Sequence, residues 1–249
     1  MKHFPIRATL VALAWFSLVC NAPAAEREDG WISLFDGKSL EGWKASEHKE
    51  SCRVEEGLLL LGGERSHLFY NGPVEDHDFK DFELKAEVKT KPGSNSGIFF
   101  HTEYQEEGWP EVGHEAQVNQ THGDWRKTGS VYAVKDVRES AAKDDEWFDY
   151  HIIVHGNKVT LKINGETVNE YTEDPEGPMV ADRPKRKLGH GTIALQAHDP
   201  GSLVYYRNIR IKPHSGDDDK PADDSHGAIQ QPKSCCPVVC CRVARRRWR

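Results

Sequence analysis

Cysteine is almost missing from the body of this 249-residue chain. Cys52 stands alone there, and Cys20 lies close to the N-terminus. The other four cysteines crowd into the tail, at Cys235, Cys236, Cys240 and Cys241. A disulfide framework for the fold is therefore not expected. The tail spacing could hold a metal or form local disulfides, but no histidine or second ligand cluster accompanies it, which disfavours the metal.

A long apolar run is also missing, because the segment Ala8–Cys20 is too short to span a bilayer comfortably. This segment follows the cationic Lys2 and Arg7 and precedes the small residues of Ala22-Pro23-Ala24. The order predicts a signal peptide over residues 1–25, and therefore a secreted or periplasmic protein with no membrane span after cleavage. An uncleaved membrane anchor is the alternative, and the short apolar run disfavours it.

Net positive charge is confined to the two ends of the chain, because acidic residues outnumber basic ones in the body. The leader carries two cationic residues and the last eight residues carry five, so the body between them has a formal charge of −14 against −7 for the whole chain. This charge argues against nucleic acid or an anionic membrane as the main partner, and it suits a neutral carbohydrate. Composition predicts a folded domain over residues 26–213, an acidic disordered linker over 214–234, and a Cys/Arg-rich tail of unknown role over 235–249.

Helical periodicity is almost absent, and alternation with a period of two dominates instead. Residues 82–89 alternate between apolar and charged side chains, and residues 159–163 alternate ahead of Asn164-Gly165, a strong hairpin signal. Many short strands separated by Gly, Asn, Asp and Pro turns predict an all-β antiparallel sandwich. We expect Trp31–Phe35 to pair with the last strand near Ile209, because the ends of such domains often meet.

The strand-like run His114–Asn119 sends alternate side chains to opposite faces. Glu115, Gln117 and Asn119 share one face, while small apolar residues occupy the other. A carboxylate and two amides are groups that bind sugars. However, an ordinary retaining or inverting glycosidase needs two carboxylates that flank the scissile bond. The two amides therefore disfavour standard double displacement from this strand.

Several segments of the body occur together in a characteristic order and spacing. They are Gly30–Leu40 with Gly42-Trp43, Asn95–Phe100, Glu115–Gln117, Gly129–Tyr132, Leu195–His198 and Tyr206–Lys212. The ordered set resembles the 3-keto-disaccharide hydrolase domain, formerly a domain of unknown function, over residues 30–212. The resemblance implies a concanavalin-like jelly roll of two curved antiparallel sheets with a sugar site on the concave face. It also implies a secreted or periplasmic bacterial protein that cleaves glycosides already oxidised to a ketone at C3.

A ketone at C3 changes the chemistry that the site must perform. It acidifies the hydrogen at C2, so a single base can remove that proton, and the enolate then expels the glycosidic oxygen from C1. Water adds to the resulting enone. This route needs a base, an acid for the leaving group, and a cation or donor at the enolate oxygen. Glu115 and His198 suit the base and acid roles, while Arg207 or a divalent metal suits the enolate.

Five further residues are candidates for substrate binding. Gln117 and Asn119 can recognise hydroxyl groups, and Tyr132 and Trp125 can stack on a pyranose ring. His101 follows the Asn95–Phe100 strand at a position where many members of the family carry arginine. Together with Arg207, these residues form the predicted substrate-binding set.

A divalent metal is a further hypothesis, with Glu115, His198 and His101 as candidate ligands. Each candidate also has a structural alternative. Glu115 could be an exposed strand carboxylate, His198 could hydrogen-bond a loop carbonyl, and Arg207 could brace the sheet through a carboxylate. A non-catalytic carbohydrate-binding module on the same fold is the main alternative function, and a surface-attached adhesion domain is a weaker one. The sequence leaves the oligomeric state open.

Overall fold

The computed structural model describes residues 30–176 and 185–214, which form thirteen strands and two short 3₁₀ turns. The strands are β1 Ile32–Ser33, β2 Trp43–Ala45, β3 Cys52–Glu55, β4 Leu58–Gly62, β5 Ser66–Tyr70, β6 Phe82–Thr90, β7 Asn95–Thr102, β8 His114–Asn119, β9 Phe148–His155, β10 Lys158–Ile163, β11 Glu166–Thr172, β12 Thr192–Ala197 and β13 Leu203–Pro213. The predicted signal peptide, and the linker and tail beyond His214, lie outside the described residues. Within those residues, no helix has the length and apolar character needed to cross a membrane.

The strands form two antiparallel sheets that pack face to face. The eight-stranded sheet has the order β11-β10-β9-β6-β13-β4-β3, with β1 also paired to β13, and the five-stranded sheet has the order β2-β5-β12-β7-β8. This arrangement confirms the predicted all-β jelly-roll sandwich. The expected meeting of the two ends is confirmed as well, because Ile32 lies opposite Ile211 and the Leu34 amide donates to the Ile209 carbonyl.

Alternation explains how the core forms between the sheets. In β6 every second side chain is buried, and the charged side chains between them point outward. The inward set of this strand is Phe82, Leu84, Ala86 and Val88. From the other sheet, Leu68, Ile98 and Leu195 enter the same core. Burial of this apolar surface is the main force that holds the two sheets together.

The five-stranded sheet differs from its partner because β7, β8 and β12 are buried along their whole length. One face of these strands packs on the eight-stranded sheet. The outer face lies under loops that contribute Trp109, Tyr132 and Arg186 to a shared pocket. The polar face that the sequence predicts for β8 is therefore covered by loops and forms the base of the pocket.

Candidate active site

A pocket of about 220 Å³ lies on the outer face of the five-stranded sheet. Its lining residues are Asn95, Phe99, Trp109, Glu115, Gln117, Tyr132, Arg186, Gln196 and His198. Four residues of the predicted site, Glu115, Gln117, Tyr132 and His198, are thus brought together. The other four, Asn119, Trp125, Arg207 and His101, do not line this pocket.

Glu115 is almost fully buried, and its carboxylate rests over the backbone of the neighbouring strand. In the β7–β8 ladder Phe99 lies opposite Glu115 and Gly97 lies opposite Gln117, so Gly97 is a diagonal neighbour of Glu115. A Cβ atom built on Gly97 would overlap the Glu115 carboxylate and would come within 2.8 Å of its Cγ. Such contacts are shorter than real Cβ atoms show. Only glycine at position 97 therefore leaves room for the carboxylate in this orientation.

Arg186 is the cationic partner of Glu115 within the pocket. Its Nη2 lies 3.4 Å from Glu115 Oε2, its Nη1 donates to the Tyr132 carbonyl, and its guanidinium is buried. A buried charge is stable only when it is paired, so each member of this ion pair depends on the other. Arg186 was not predicted from the sequence, because it lies in a cationic run between strands and has no periodicity to place it.

Side chains from other parts of the fold hydrogen-bond the backbone of the segment that carries Arg186 and hold it in place. The Leu188 amide donates to the Glu173 carboxylate, which also lies 2.9 Å from His114 Nε2. Burial raises the pKa of Glu173, but the hydrogen bonds from His114 and Leu188 outweigh it and leave the pKa below its usual range. The ionised carboxylate is therefore a stable anchor at neutral pH.

His101 is a second anchor of this segment, which corrects its predicted role as a substrate or metal ligand. Its Nε2 lies 2.8 Å from the Lys80 carbonyl and its Nδ1 accepts from the Gly189 amide. The side chain is buried against Phe82 and Phe100. Both ring nitrogens are thus engaged with the backbone. Burial lowers the pKa of His101, which keeps the imidazole neutral.

His198 forms a hydrogen-bonded pair with its neighbour Asp199. The distance from His198 Nδ1 to Asp199 Oδ2 is 2.6 Å, and Asp199 also accepts from Gly201 and Ser202. Partial burial raises the pKa of Asp199, but the hydrogen bonds from His198, Ser202 and Gly201 outweigh it and lower the pKa. Because an ionised carboxylate only accepts, His198 carries a proton on Nδ1 and leaves Nε2 for proton transfer.

The three residues that the sequence suggests as metal ligands are not brought together, because His101 lies outside the pocket that Glu115 and His198 line. Among the described residues, the group with suitable spacing is His122, His198 and Asp199, whose candidate ligand atoms lie within 4.8 Å of one another. However, His122 Nδ1 accepts from the Asp124 amide, so its neutral ring carries the proton on Nε2, the nitrogen 3.9 Å from Asp199. That nitrogen cannot bind a cation in this tautomer. Within this group, the 2.6 Å contact between His198 and Asp199 is a hydrogen bond, whereas the 3.9 Å contact of His122 is too long for one.

Asn119 and Trp125 do not line the pocket, and they lie at the end of β8 and in the loop that follows it. Asn119 donates to the carbonyls of Asp124 and Arg126, and its Oδ1 accepts from the His122 amide. With these bonds its amide is committed to the loop. Trp125 is 43% exposed and packs against guanidinium groups outside the pocket.

Arg207 lies on the other sheet, which overturns its predicted position at the enolate. Its Nη2 is 2.6 Å from Glu87 Oε2, and its guanidinium carbon is 4.1 Å from the centre of the Trp147 ring. Arg207 therefore braces the outer face of the eight-stranded sheet through a carboxylate.

Four pocket residues besides Arg186 were not predicted. Asn95, Phe99 and Gln196 share a face with predicted residues and could have been found by extending the alternation along β7 and β12. Trp109 belongs to the 103–113 loop, whose path over the sheet has no periodic signal in the sequence.

A named protein is similar to this chain in sequence, and two solved structures are similar to it in fold. A Bacteroides thetaiotaomicron protein named 3-keto-disaccharide hydrolase is 28% identical over 229 residues, which cover 74% of this chain and 78% of that protein. A Parabacteroides distasonis structure, described provisionally as a glycosyl hydrolase, has a TM-score of 0.64 and 24% identity, covering 75% of this chain and 94% of its own. A Bacillus subtilis protein of unknown function with a galectin-like fold has a TM-score of 0.51 and 12% identity, with coverage of 74% and 94%.

The two structural neighbours share the sandwich at low identity, so they report on the fold. The family comparison reaches further, because it matches residues 30–212 to the family described as the 3-keto-alpha-glucoside-1,2-lyase-like domain. That match spans every strand from β1 to β12 and nearly all of β13. The chain belongs to this family.

Proposed function

We propose that this protein cleaves 3-keto-glycosides by elimination at C1 and C2 followed by addition of water. The observation that carries the proposal is a single carboxylate beside a buried guanidinium in a polar pocket. Glu115 is the one carboxylate among the described residues that line the pocket. A glycosidase of the ordinary type uses two. One base and one cation suit a substrate whose own ketone makes the C2 hydrogen acidic.

Glu115 removes the C2 proton, and the electron pair of that bond moves toward the C3 ketone to form an enolate. Arg186, beside the Glu115 carboxylate, donates to the enolate oxygen and stabilises the charge that develops there. The enolate then expels the C1 oxygen and becomes an enone. Arg186 takes the role that the sequence had suggested for Arg207.

His198 completes the cycle at the leaving group. With its ring oriented by the Nδ1 hydrogen bond to Asp199, and with both ring nitrogens protonated, it gives the Nε2 proton to the departing C1 oxygen. It then takes a proton from the water that adds to C1 of the enone. The proton on Glu115 exchanges with the entering water while the enone is bound, and Glu115 then reprotonates C2. The base thus returns to its starting state, and the products are a 3-keto sugar and the free alcohol.

Two buried amides support recognition of the sugar hydroxyls. Gln117 Nε2 donates to Asn95 Oδ1, which fixes the amide, and Gln117 Oε1 has no partner among the described residues. Gln196 Oε1 also has no partner among the described residues. Both oxygens are acceptors, so they suit hydroxyl groups and leave the ketone to Arg186. Burying such acceptors without a partner costs stability unless a ligand satisfies them.

The substrate is expected to meet the protein outside the cytoplasm. This expectation rests on the predicted leader over residues 1–25 alone. A neutral carbohydrate also agrees with the acidic body of the chain.

The proposal is tested with the mature protein, methyl 3-keto-α-glucoside and its unoxidised parent in D₂O. We expect cleavage of the keto sugar only, and a deuterium at C2 of the product formed in the first turnovers. The released 3-keto sugar, incubated with the enzyme, controls for later exchange. Cleavage of the parent sugar, or a product that retains hydrogen at C2, contradicts the proposed route. Binding without any turnover supports the carbohydrate-binding module instead.

A further inference from the structure

A buried histidine next to the pocket has no role in the steps above. His67 lies on β5, on the outer face of the five-stranded sheet, and it is completely buried. Neither of its ring nitrogens has a hydrogen-bond partner among the described residues. The ring is surrounded by aromatic side chains, with centroids 5.3 Å from Phe99 and 5.6 Å from Trp109. Burial lowers the pKa of His67 to about 3, so the ring is neutral at physiological pH.

Packing alone does not account for a histidine at this position. A phenylalanine would fill a space between aromatic rings without leaving polar atoms buried and unpartnered. Such atoms lower the stability of a protein, and native structures contain few of them. A buried polar atom without a partner therefore needs an explanation. One explanation is a ligand that supplies the missing hydrogen bond.

The strand register relates His67 to the substrate pocket. His67 pairs with Gln196, Gly97 pairs with Gln117, and the register between β12 and β7 makes these two pairs neighbours. The four residues thus form one row across the sheet. Three of them carry buried polar atoms without partners among the described residues, and the fourth is the glycine over which the Glu115 carboxylate lies. Gln117 and Gln196 line the pocket, whereas His67 does not.

Trp109 separates His67 from the pocket. Its indole is 39% exposed, belongs to a loop, and lies within ring-contact distance of both His67 and His198. A turn of this one side chain would join His67 to the row of acceptors in the pocket. Loop side chains rotate far more easily than strands move, so the sheet would stay as it is.

We propose that Trp109 turns away from His67 when substrate binds, and that His67 then hydrogen-bonds a hydroxyl of the leaving group while the indole stacks on its ring. This inference rests on the proposed function and adds to it a specificity-determining residue, His67, for substrates whose leaving group is itself a sugar. The order of the strands carries the assignment. Glu115 lies on β8, His198 follows β12, and His67 lies on β5, beyond His198.

The spacing of these strands matches a substrate with two rings. Neighbouring strands lie about 4.8 Å apart, so β8 and β5 are separated by roughly 14 Å along the sheet. A single pyranose held between Glu115 and His198 does not reach β5. Because His198 is the proposed acid for the leaving group, that group is expected on the side of the pocket where β5 lies beside β12.

The test compares 3-keto-trehalose with methyl 3-keto-α-glucoside for the wild type, His67→Phe and His67→Gln. For His67→Phe we expect the preference for the disaccharide, as the ratio of kcat/KM values, to fall about tenfold, which is the loss of one good hydrogen bond. The same variant should unfold at an unchanged or higher temperature, by roughly 2–4 °C, because a buried unpartnered group is gone. His67→Gln should restore most of the preference.

An unchanged preference, or a fall in Tm with equal losses on both substrates, contradicts the inference. A second measurement keeps it separate from the proposed function. The ring ¹⁵N signals of His67 are followed while 3-keto-trehalose is titrated into the Glu115→Gln protein, which binds without turnover. We expect these signals to shift on binding and the Trp109 fluorescence to change with them. Saturation without any shift at His67 overturns the inference even if the enzyme cleaves 3-keto sugars.

Discussion

The outer faces of the two sheets use polar side chains in opposite ways. On the eight-stranded sheet, polar groups satisfy one another at the surface, as Arg207 does with Glu87 and His151 with Glu83. On the five-stranded sheet, polar groups are buried beneath loops, and Gln117 and Gln196 keep acceptors that no described residue meets. Both faces arise from the same alternating pattern. Buried polar atoms without hydrogen-bond partners therefore distinguish the face that carries the pocket, whereas the presence of polar side chains does not.

The largest effect expected from this comparison is the loss of turnover in Glu115→Gln. The amide keeps the shape of the side chain but cannot accept the C2 proton, so kcat should fall about a thousandfold. Binding of 3-keto-trehalose, measured by calorimetry, should persist. Glu87→Gln, on the outer face of the other sheet, is the matched control and should retain activity. Turnover of Glu115→Gln within tenfold of the wild type would rule out this residue as the base.

The next largest effect concerns the two arginines. Arg186→Gln removes the donor at the enolate, which should lower kcat by about 10²–10³. It also removes the cationic partner of the buried Glu115 carboxylate. The free energy of unfolding should therefore fall by roughly 3–5 kcal/mol in a urea titration. Arg207→Gln breaks a half-exposed pair and should cost less than about 1 kcal/mol, with little change in rate. Equal effects of the two variants would remove the distinction between the faces.

A smaller loss of rate is expected from Gly97→Ala. The added methyl group overlaps the Glu115 carboxylate and forces it to move, and misplacement by about 1 Å can lower a rate roughly a hundredfold. Gly123→Ala is the control, because a Cβ at that position meets no atom within 4 Å. Steady-state kinetics of both variants provide the measurement. Full activity of Gly97→Ala would mean that the carboxylate works in another position.

The smallest effect is on the pH dependence of stability. In the folded protein the pKa of His67 is lowered to about 3, while in the unfolded chain it is about 6.5. Between these values only the unfolded chain binds the proton, so stability falls as the pH falls. The wild-type free energy of unfolding should therefore drop between pH 7 and pH 4.5 by roughly 2–3 kcal/mol more than that of His67→Phe.

His151→Phe is the counterpart on the eight-stranded sheet. Burial lowers the pKa of His151, but the hydrogen bond to Glu83 opposes this shift. Its replacement should therefore alter the pH dependence less than that of His67. Urea titrations at the two pH values compare the variants. A larger change for His151→Phe would contradict the assignment of His67 as a neutral, unpartnered ring.

Alternation predicted the fold and the polar face of β8, because a strand reverses its side chains at each residue and burial preserves that period. It failed for His101, which strict alternation places on the same face as Phe99. The positive φ of 54° at His101 turns the side chain inward, next to an irregularity in the β12–β7 register. A local break of this kind leaves no mark in the pattern of residue types.

Long-range placement was the other limit. Arg186 meets Glu115 across 71 positions of the chain, from a segment with no period of its own. Alternation in β13 assigned Arg207 to a face but could not tell which sheet that face belonged to. Asn119 has the predicted orientation, yet its amide is committed to a loop. Contacts between segments that are distant in sequence decide all three cases, and a single sequence does not record them.

The position of β13 has a consequence for how the protein is made. This last strand lies in the middle of the eight-stranded sheet, between β6 and β4, and also holds β1. A chain emerging from the ribosome therefore cannot complete the eight-stranded sheet until residues 203–213 have been synthesised. Until that moment the edges of β4 and β6 stay open. Folding of the eight-stranded sheet thus follows the synthesis of β13.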